Sequence, residues 1–263
     1  MTEALVVTRD LSKTYFDEDR GEIRAVDRIS IACAQGEILG LLGANGAGKT
    51  TTLRMLSTVL APTSGTAEIC GHDIVDDPGT VRRSIGFYSA STALYPRLTT
   101  RETLEFFARI NQYPPDRVRA RVDELIERFG LASFAGARID KLSSGMKQKV
   151  SIARTVAHDP PVLIFDEPTV ALDVINALEM RSIIAELRDA GKAVIFSTHI
   201  MSEAEKLCDR IAILHDGRIL ADGRLEELQA ATGERYLEDV FIHFVRGGGV
   251  EAAPANAPDG EAP

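Results

Sequence analysis

The residues Gly43-Ala-Asn-Gly-Ala-Gly-Lys-Thr50 match the pattern Gly-x-x-x-x-Gly-Lys-[Ser/Thr] in full. Such a run suits a chain of phosphates, which is multiply charged and must have its hydration replaced group by group. Glycines 43, 46 and 48 let consecutive backbone N–H groups turn inward as an anion-binding nest. Asn45, Ala47 and Thr51 complete the loop, and a helix expected from about Gly48 to Val59 adds its positive N-terminal end. Lys49 offers a point charge to β- and γ-phosphates, and the Thr50 hydroxyl is placed to ligate Mg²⁺, so ATP and Mg²⁺ are the expected ligands. With average residue frequencies the four fixed positions match by accident in roughly one chain of this length in a hundred. The apolar strand Ile38 to Leu42 enters the loop and a helix leaves it, which is the context the motif requires.

A second constellation lies at Val162-Leu-Ile-Phe-Asp166-Glu167-Pro168, where two carboxylates end an apolar strand. Ligands gather at the carboxyl ends of parallel strands. Asp166 is therefore expected beside the loop, holding Mg²⁺ through water, with Glu167 as general base toward an attacking water. The alternative is that Asp-Glu-Pro merely turns the chain. His199 follows another apolar strand, again at a carboxyl end, where a γ-phosphate contact is expected; the alternative is a structural or surface histidine.

Continuous apolar strands separated by helices must position these groups. Short strand-like runs occur at Leu5 to Thr8, Ile29 to Ala32, Glu37 to Leu42, Ala67 to Cys70 and Ile85 to Tyr88. Residues 97 to 157 turn helical, with Val118, Val122, Leu125, Ile126 and Phe129 on one face of a 3.6-residue period. Alternation resumes from 161 to 223: strand Val162 to Phe165, a helix marked by Met180, Ile183, Ile184 and Leu187, strand Ala193 to Ser197, a short helix and two more strands. This pattern predicts an α/β fold with a parallel sheet covered on both faces and a helical block inserted between its halves. The small, polar, Pro/Gly-rich end from Arg246 onward predicts a disordered tail over 246–263.

Composition agrees with a large globular domain. The 263 residues are 44% hydrophobic and 26% charged, enough to bury about three quarters of the unfolded surface without a staple. A formal net charge of −9 argues against a nucleic-acid partner. Cys33, Cys70 and Cys208 are odd in number and form no Cys-x-x-Cys pair, which reads as three reduced thiols. The start lacks a signal peptide, and no apolar run approaches the ~18 residues needed to span a bilayer, so the chain is not expected to cross a membrane itself.

Five segments in this order resemble the nucleotide-binding subunit of ABC transporters over roughly residues 3 to 225: Leu42 to Thr51, Leu142-Ser-Ser-Gly-Met-Lys-Gln148, Ile164-Phe-Asp-Glu-Pro-Thr169, Ala171-Leu-Asp173 and Ser197-Thr-His199. The resemblance implies a P-loop NTPase (RecA-like) sheet core with an antiparallel β subdomain and an inserted α-helical signature subdomain at about 90–157, all within an ATP-binding domain of residues 1–245. It implies ATP hydrolysis coupled to transport, in a homodimer on a multi-span membrane permease at the cytoplasmic face of the membrane. In that scheme Ser143 and Gly145 of one subunit contact the γ-phosphate held by the other. Both are expected to precede a helix running to about Ala157 and to offer its positive end, although an ordinary helix cap is the alternative. Asp173 resembles the aspartate at the dimer seam. Tyr15 matches the aromatic that stacks on adenine, or is a strand residue packed on the core. The groove near residues 86 to 105 is expected to grip the permease.

Two departures stand out. Ser144 and Met146 replace a Gly and a Gln of the usual Leu-Ser-Gly-Gly-Gln. Ala90 occupies the position of a glutamine that in the family ligates Mg²⁺ and reports nucleotide state; Ser89, Ser91 or a water is expected to fill that place. The wording from Ile85 to Thr99, Gly145 to Val150 and Leu237-Glu-Asp-Val-Phe241 is most similar to the sodium-exporting subgroup, whose ATPase pairs with an ABC-2-type permease. Rival readings are a soluble ABC ATPase outside transport, which would carry coiled coils or zinc hooks absent here, a translation-associated factor, which would carry two cassettes, and a weakly hydrolysing nucleotide sensor. Asp166, Glu167 and His199 speak against the sensor; Ala90 leaves it open.

Overall fold

A computed structural model describes residues 3–19, 21–89, 92–170 and 172–247. The chain opens with β1 (Ala4–Asp17), β2 (Gly21–Ile29), β3 (Ala32–Ala34) and β4 (Ile38–Leu42), then α1 (Lys49–Leu56), β5 (Ser64–Ile69), β6 (His72–Asp73), α2 (Pro78–Ser84) and β7 (Ile85–Ser89). Three helices follow, α3 (Thr100–Ile110), α4 (Val118–Arg128) and α5 (Ser144–Thr155). The second half runs β8 (Val162–Asp166), α6 (Val174–Asp189), β9 (Ala193–Thr198), α7 (Met201–Leu207), β10 (Arg210–His215), β11 (Arg218–Gly223), α8 (Leu225–Thr232) and α9 (Leu237–Val245).

A six-stranded sheet in the order β11-β10-β4-β9-β8-β7 forms the centre. All its pairings are parallel except β10 with β11. Every residue of β4, β8 and β9 is buried, which is why these strands read as unbroken apolar runs. The period of two divides their side chains between two cores. Leu163, Phe165, Val194 and Phe196 face the helical block and α6, while Val162, Ile164, Ala193 and Ile195 face α1 and the antiparallel sheet. That second sheet has the order β2-β1-β5-β6, with β3 paired to β1. The architecture is the α/β phosphate-loop fold expected, with no named strand between β7 and β8.

Several boundaries differ from expectation. The strand expected over Ile29 to Ala32 is two strands, because the Thr8 hydroxyl replaces the ladder there: it accepts from Ile31 N at 2.8 Å and donates to Ile29 O at 2.9 Å. β1 extends well beyond Thr8 through an irregularity between Leu11 and Lys13 that masks its alternation. The helix after the phosphate loop stops at Leu56 rather than Val59, and Thr58 takes the left-handed conformation (φ 58°). α2, α8 and α9 were not anticipated. α3 begins with a capping box in which Thr99 and Glu102 satisfy each other's backbone N–H. Of the tail expected over 246–263, Arg246 is the C-cap of α9, and residues 248–263 lie outside the described ones. Among the described residues no helix is long and apolar enough to cross a membrane. All three cysteines are free thiols, and burial pushes the Cys33 thiol up to about 12.

Candidate functional site

β4 delivers the chain to the phosphate loop at its carboxyl end, and α1 carries it away. Within the loop the glycines have separate reasons. Gly46 and Gly48 take φ of 84° and 108°, conformations that L side chains rarely adopt, and a methyl on Gly48 would also meet the Ala25 carbonyl. Gly43 has no such angle; a methyl there would meet the Leu214 carbonyl. The nest thus needs left-handed freedom at two of the three glycines and close approach at the third.

Lys49 is only 4% exposed. Its ammonium donates to Gly43 O at 2.7 Å and Ala44 O at 3.0 Å, and lies 3.2 Å from Glu167 Oε1. A buried ammonium needs such partners. Glu167 Oε1 also stands 3.2 Å from His199 Nδ1. Burial alone would raise the Glu167 pKa, but hydrogen bonds from His199 and Lys49 together with their charge outweigh it and hold the carboxyl below the usual range. Glu167 is therefore ionised at neutral pH. Beside it the Thr50 hydroxyl donates to Asp166 Oδ1 at 3.1 Å, and Ser197 donates to the same oxygen at 2.9 Å while accepting from Glu167 N at 3.0 Å. One threonine oxygen next to one carboxylate, at the foot of a phosphate nest, is a hard oxygen donor set of the kind Mg²⁺ takes.

A cavity of about 210 Å³ joins Asn45, Gly46, Gly48, Lys49, Thr50, Thr51 and Glu167, with Ala25 of β2 as one wall. Ala47 is buried, and its N–H bonds to Ala44 O within the loop. Tyr15, on β1, is 41% exposed, with the Lys13 ammonium 5.5 Å from its ring centroid; it is not packed into the core.

Ser143, Gly145 and Asp173 belong to another region. Ser143 is the N-cap of α5, its Oγ accepting from Met146 N at 3.3 Å. Gly145 does not precede the helix, as expected, but lies in its first turn. Asp173 caps α6 by accepting from Asn176 N at 3.0 Å, and those hydrogen bonds hold its carboxyl below the usual range. A cavity of about 610 Å³ is bounded by Gly145 and Asp173 together with Tyr88, Ser89 and Leu94. Ser89 stands beside Asp166 in the β7–β8 register; Ala90 and Ser91, which bear on the missing glutamine, lie outside the described residues. Sequence reasoning missed Ser197 as the link between the two acids, and Gln148, whose amide donates to Pro168 O at 3.0 Å and ties α5 to the acidic turn. A hydroxyl closing an otherwise apolar strand was the available signal for Ser197.

What fits a nest of inward amides, one buried ammonium and a paired hydroxyl and carboxylate is a nucleoside triphosphate, and the site is that of a phosphate-loop nucleotidase. The family model described as ABC transporter matches residues 26–170. The chain is 37% identical over 245 residues to the ABC transporter ATP-binding protein NatA of Bacillus subtilis (strain 168), covering 92% of this chain and 99% of that protein. Among solved structures, an ATP-binding subunit of an ABC transporter superposes with a TM-score of 0.82 at 30% identity, over 92% of this chain and 99% of the other. A dimeric post-hydrolysis state of an ATP-binding cassette bound to ADP and Pi superposes with a TM-score of 0.75 at 29% identity, over 84% and 98% of the two chains. The chain belongs to the ATP-binding subunits of ABC transporters, and it is an ATPase.

Proposed function

We propose that two copies of this chain power a multi-span permease of the ABC-2 exporter type from the cytoplasmic face of the membrane. The observation that carries the reading is the convergence of Lys49 and His199 on one oxygen of Glu167, beside the Thr50–Asp166 pair. A bound triphosphate draws the Lys49 ammonium to its own β- and γ-oxygens, leaving the Glu167 carboxylate to accept a proton from water. That water attacks the γ-phosphorus, the β–γ bridge breaks toward ADP, and His199 steadies the γ-phosphate. Thr50 and Asp166 would hold Mg²⁺, which would neutralise charge on the phosphates when bound. Tyr15 is open to solvent and available to stack on adenine.

Gly145 lines the 610 Å³ cavity and the loop lines a different one, which favours a second half of the phosphate shell from another copy, with the Ser143 hydroxyl and the start of α5 facing the γ-phosphate in trans and Asp173 at the seam. Closure is driven by contacts that neither copy makes alone, and hydrolysis removes them. The likeness to a dimeric cassette holding ADP and Pi supports this scheme. The helical block at about 90–157 and the 610 Å³ cavity beside Tyr88, Ser89 and Leu94 offer the groove for the permease. The wording shared with the sodium-exporting subgroup supports sodium as a cargo to test first. Hydrolysis measured on the purified chain with and without its co-purifying permease tests the reading. Stimulation by the permease is expected; an equal rate in both preparations counts against coupling to transport.

A further inference from the structure

Glu203 is a buried acid that the mechanism above does not use. It sits at the third position of α7 with 4% of its surface exposed, and its Oε2 accepts two hydroxyls: Thr169 at 2.8 Å and Thr198 at 2.9 Å. A carboxylate out of water is costly unless hydrogen-bonded, and these two donors come from different segments, Thr169 from the turn after β8 and Thr198 from the end of β9. Thr169 lies two residues beyond Glu167. Thr198 immediately precedes His199, and its hydroxyl also accepts from Ile200 N at 3.0 Å, so His199 is bracketed by one fixed turn.

Resting on the reading of Glu167 as the base, we infer that Glu203 is a positioning residue for hydrolysis, its carboxylate fixing the Glu167 and His199 segments at one separation through the Thr169 and Thr198 hydroxyls. The need for such a tie is visible in Glu167 itself. Its φ of 46° is left-handed, a strained conformation for a non-glycine residue that persists only where the surroundings over-determine it. Ser197 holds its N–H from one side, and the Glu203 tie holds the segment that leaves it. The 3.2 Å contact between Glu167 and His199 joins side chains on the two loops that Glu203 links. α7 is itself braced, since Glu205 Oε1 accepts from Leu237 N of α9 at 3.1 Å. The tie therefore has a firm base, and none of its bonds touches the phosphate loop. Losing it should disturb the chemical step and spare ATP binding.

The test is Glu203→Leu against Glu203→Gln in the full chain, measuring the hydrolysis rate at saturating MgATP and the affinity for a fluorescent ATP analogue. Leucine is expected to lower the rate about tenfold, as a modest misplacement of a base does, with affinity within about twofold of wild type. Glutamine is expected to restore most of the rate, because its amide oxygen accepts both hydroxyls. Should Glu203→Leu fold poorly, Thr169→Val removes one of the two bonds while Thr198 still satisfies the carboxylate, and should give the same split with a smaller fall in rate. A Leu rate equal to wild type, a loss of ATP affinity in step with the rate, or a Gln variant no better than Leu overturns the inference. Glu167→Gln, run alongside, separates the two claims. If it hydrolyses normally, the reading of Glu167 fails; if it is inactive while Glu203→Leu is unimpaired, only the role of Glu203 fails.

Discussion

Lys49 illustrates how one side chain serves two states. Without a triphosphate its ammonium is neutralised by Glu167 and by two loop carbonyls; phosphate oxygens compete for the same three donors. Replacing Lys49 by Ala removes charge-assisted bonds worth about 1.5–3 kcal/mol, so ATP affinity measured by calorimetry should fall roughly ten- to hundredfold. Unchanged affinity would mean that the amide nest alone holds the nucleotide. The loop, the two acids and His199 were all legible from residue type and position at strand ends. What was not legible was the pairing among them: that Ser197 bridges Asp166 to the Glu167 backbone, and that Glu203 reaches across from α7. The Ser197 bonds and the Thr169–Glu203 bond join residues 30 to 34 positions apart in the chain, and no spacing rule encodes them.

The helices that carry Ser143, Gly145 and Asp173 were legible only in outline. The apolar period located α4, but Ser144, Gly145 and Met146 at the start of α5 carry no such stripe, so Gly145 was placed before the helix rather than in its first turn. The strand split at Thr8 was hidden for a similar reason, since a side-chain hydroxyl there takes the place of backbone pairing. Ser143 combines two proposed tasks, capping α5 and facing phosphate, and substitution separates them. Ser143→Asp keeps an N-cap acceptor and a favourable charge at the helix start, so the melting temperature should be retained. Hydrolysis should nevertheless fall at least about tenfold, because a carboxylate repels the γ-phosphate. Ser143→Ala should instead cost about 1 kcal/mol of stability. Full hydrolysis by the Asp variant would confine Ser143 to capping.

Across the whole molecule, acid stability carries a particular signature. His158 accepts burial as a neutral ring: its Nε2–H donates to Ile85 O at 3.0 Å, and its buried Nδ1 has no hydrogen-bond partner among the described residues. Burial pushes its pKa down to about 4 from the ordinary imidazole value of 6.5. The unfolded chain therefore binds a proton below about pH 6.5 that the folded chain refuses until about pH 4. Stability from this group is full above that window and is lost as pH falls through it, on the order of 3 kcal/mol in total. In urea unfolding between pH 7 and 4.5, wild type should lose more stability than His158→Gln, whose amide can keep the bond to Ile85; parallel losses would contradict the assignment. A parallel sheet covered on both faces and the inserted helices followed from the apolar runs, whereas the strand order and α8 and α9 did not, the faces of those two helices being short and packed on β10 and β11.

Two copies clasping ATP between a phosphate loop and a facing α5 is the claim on which the proposed motor rests. Sedimentation of Glu167→Gln with and without MgATP tests it most directly. The expected result is a dimer that forms only with ATP, holds two nucleotides and persists because hydrolysis no longer dissolves the seam. A Glu167→Gln chain that binds ATP and remains a monomer would contradict it.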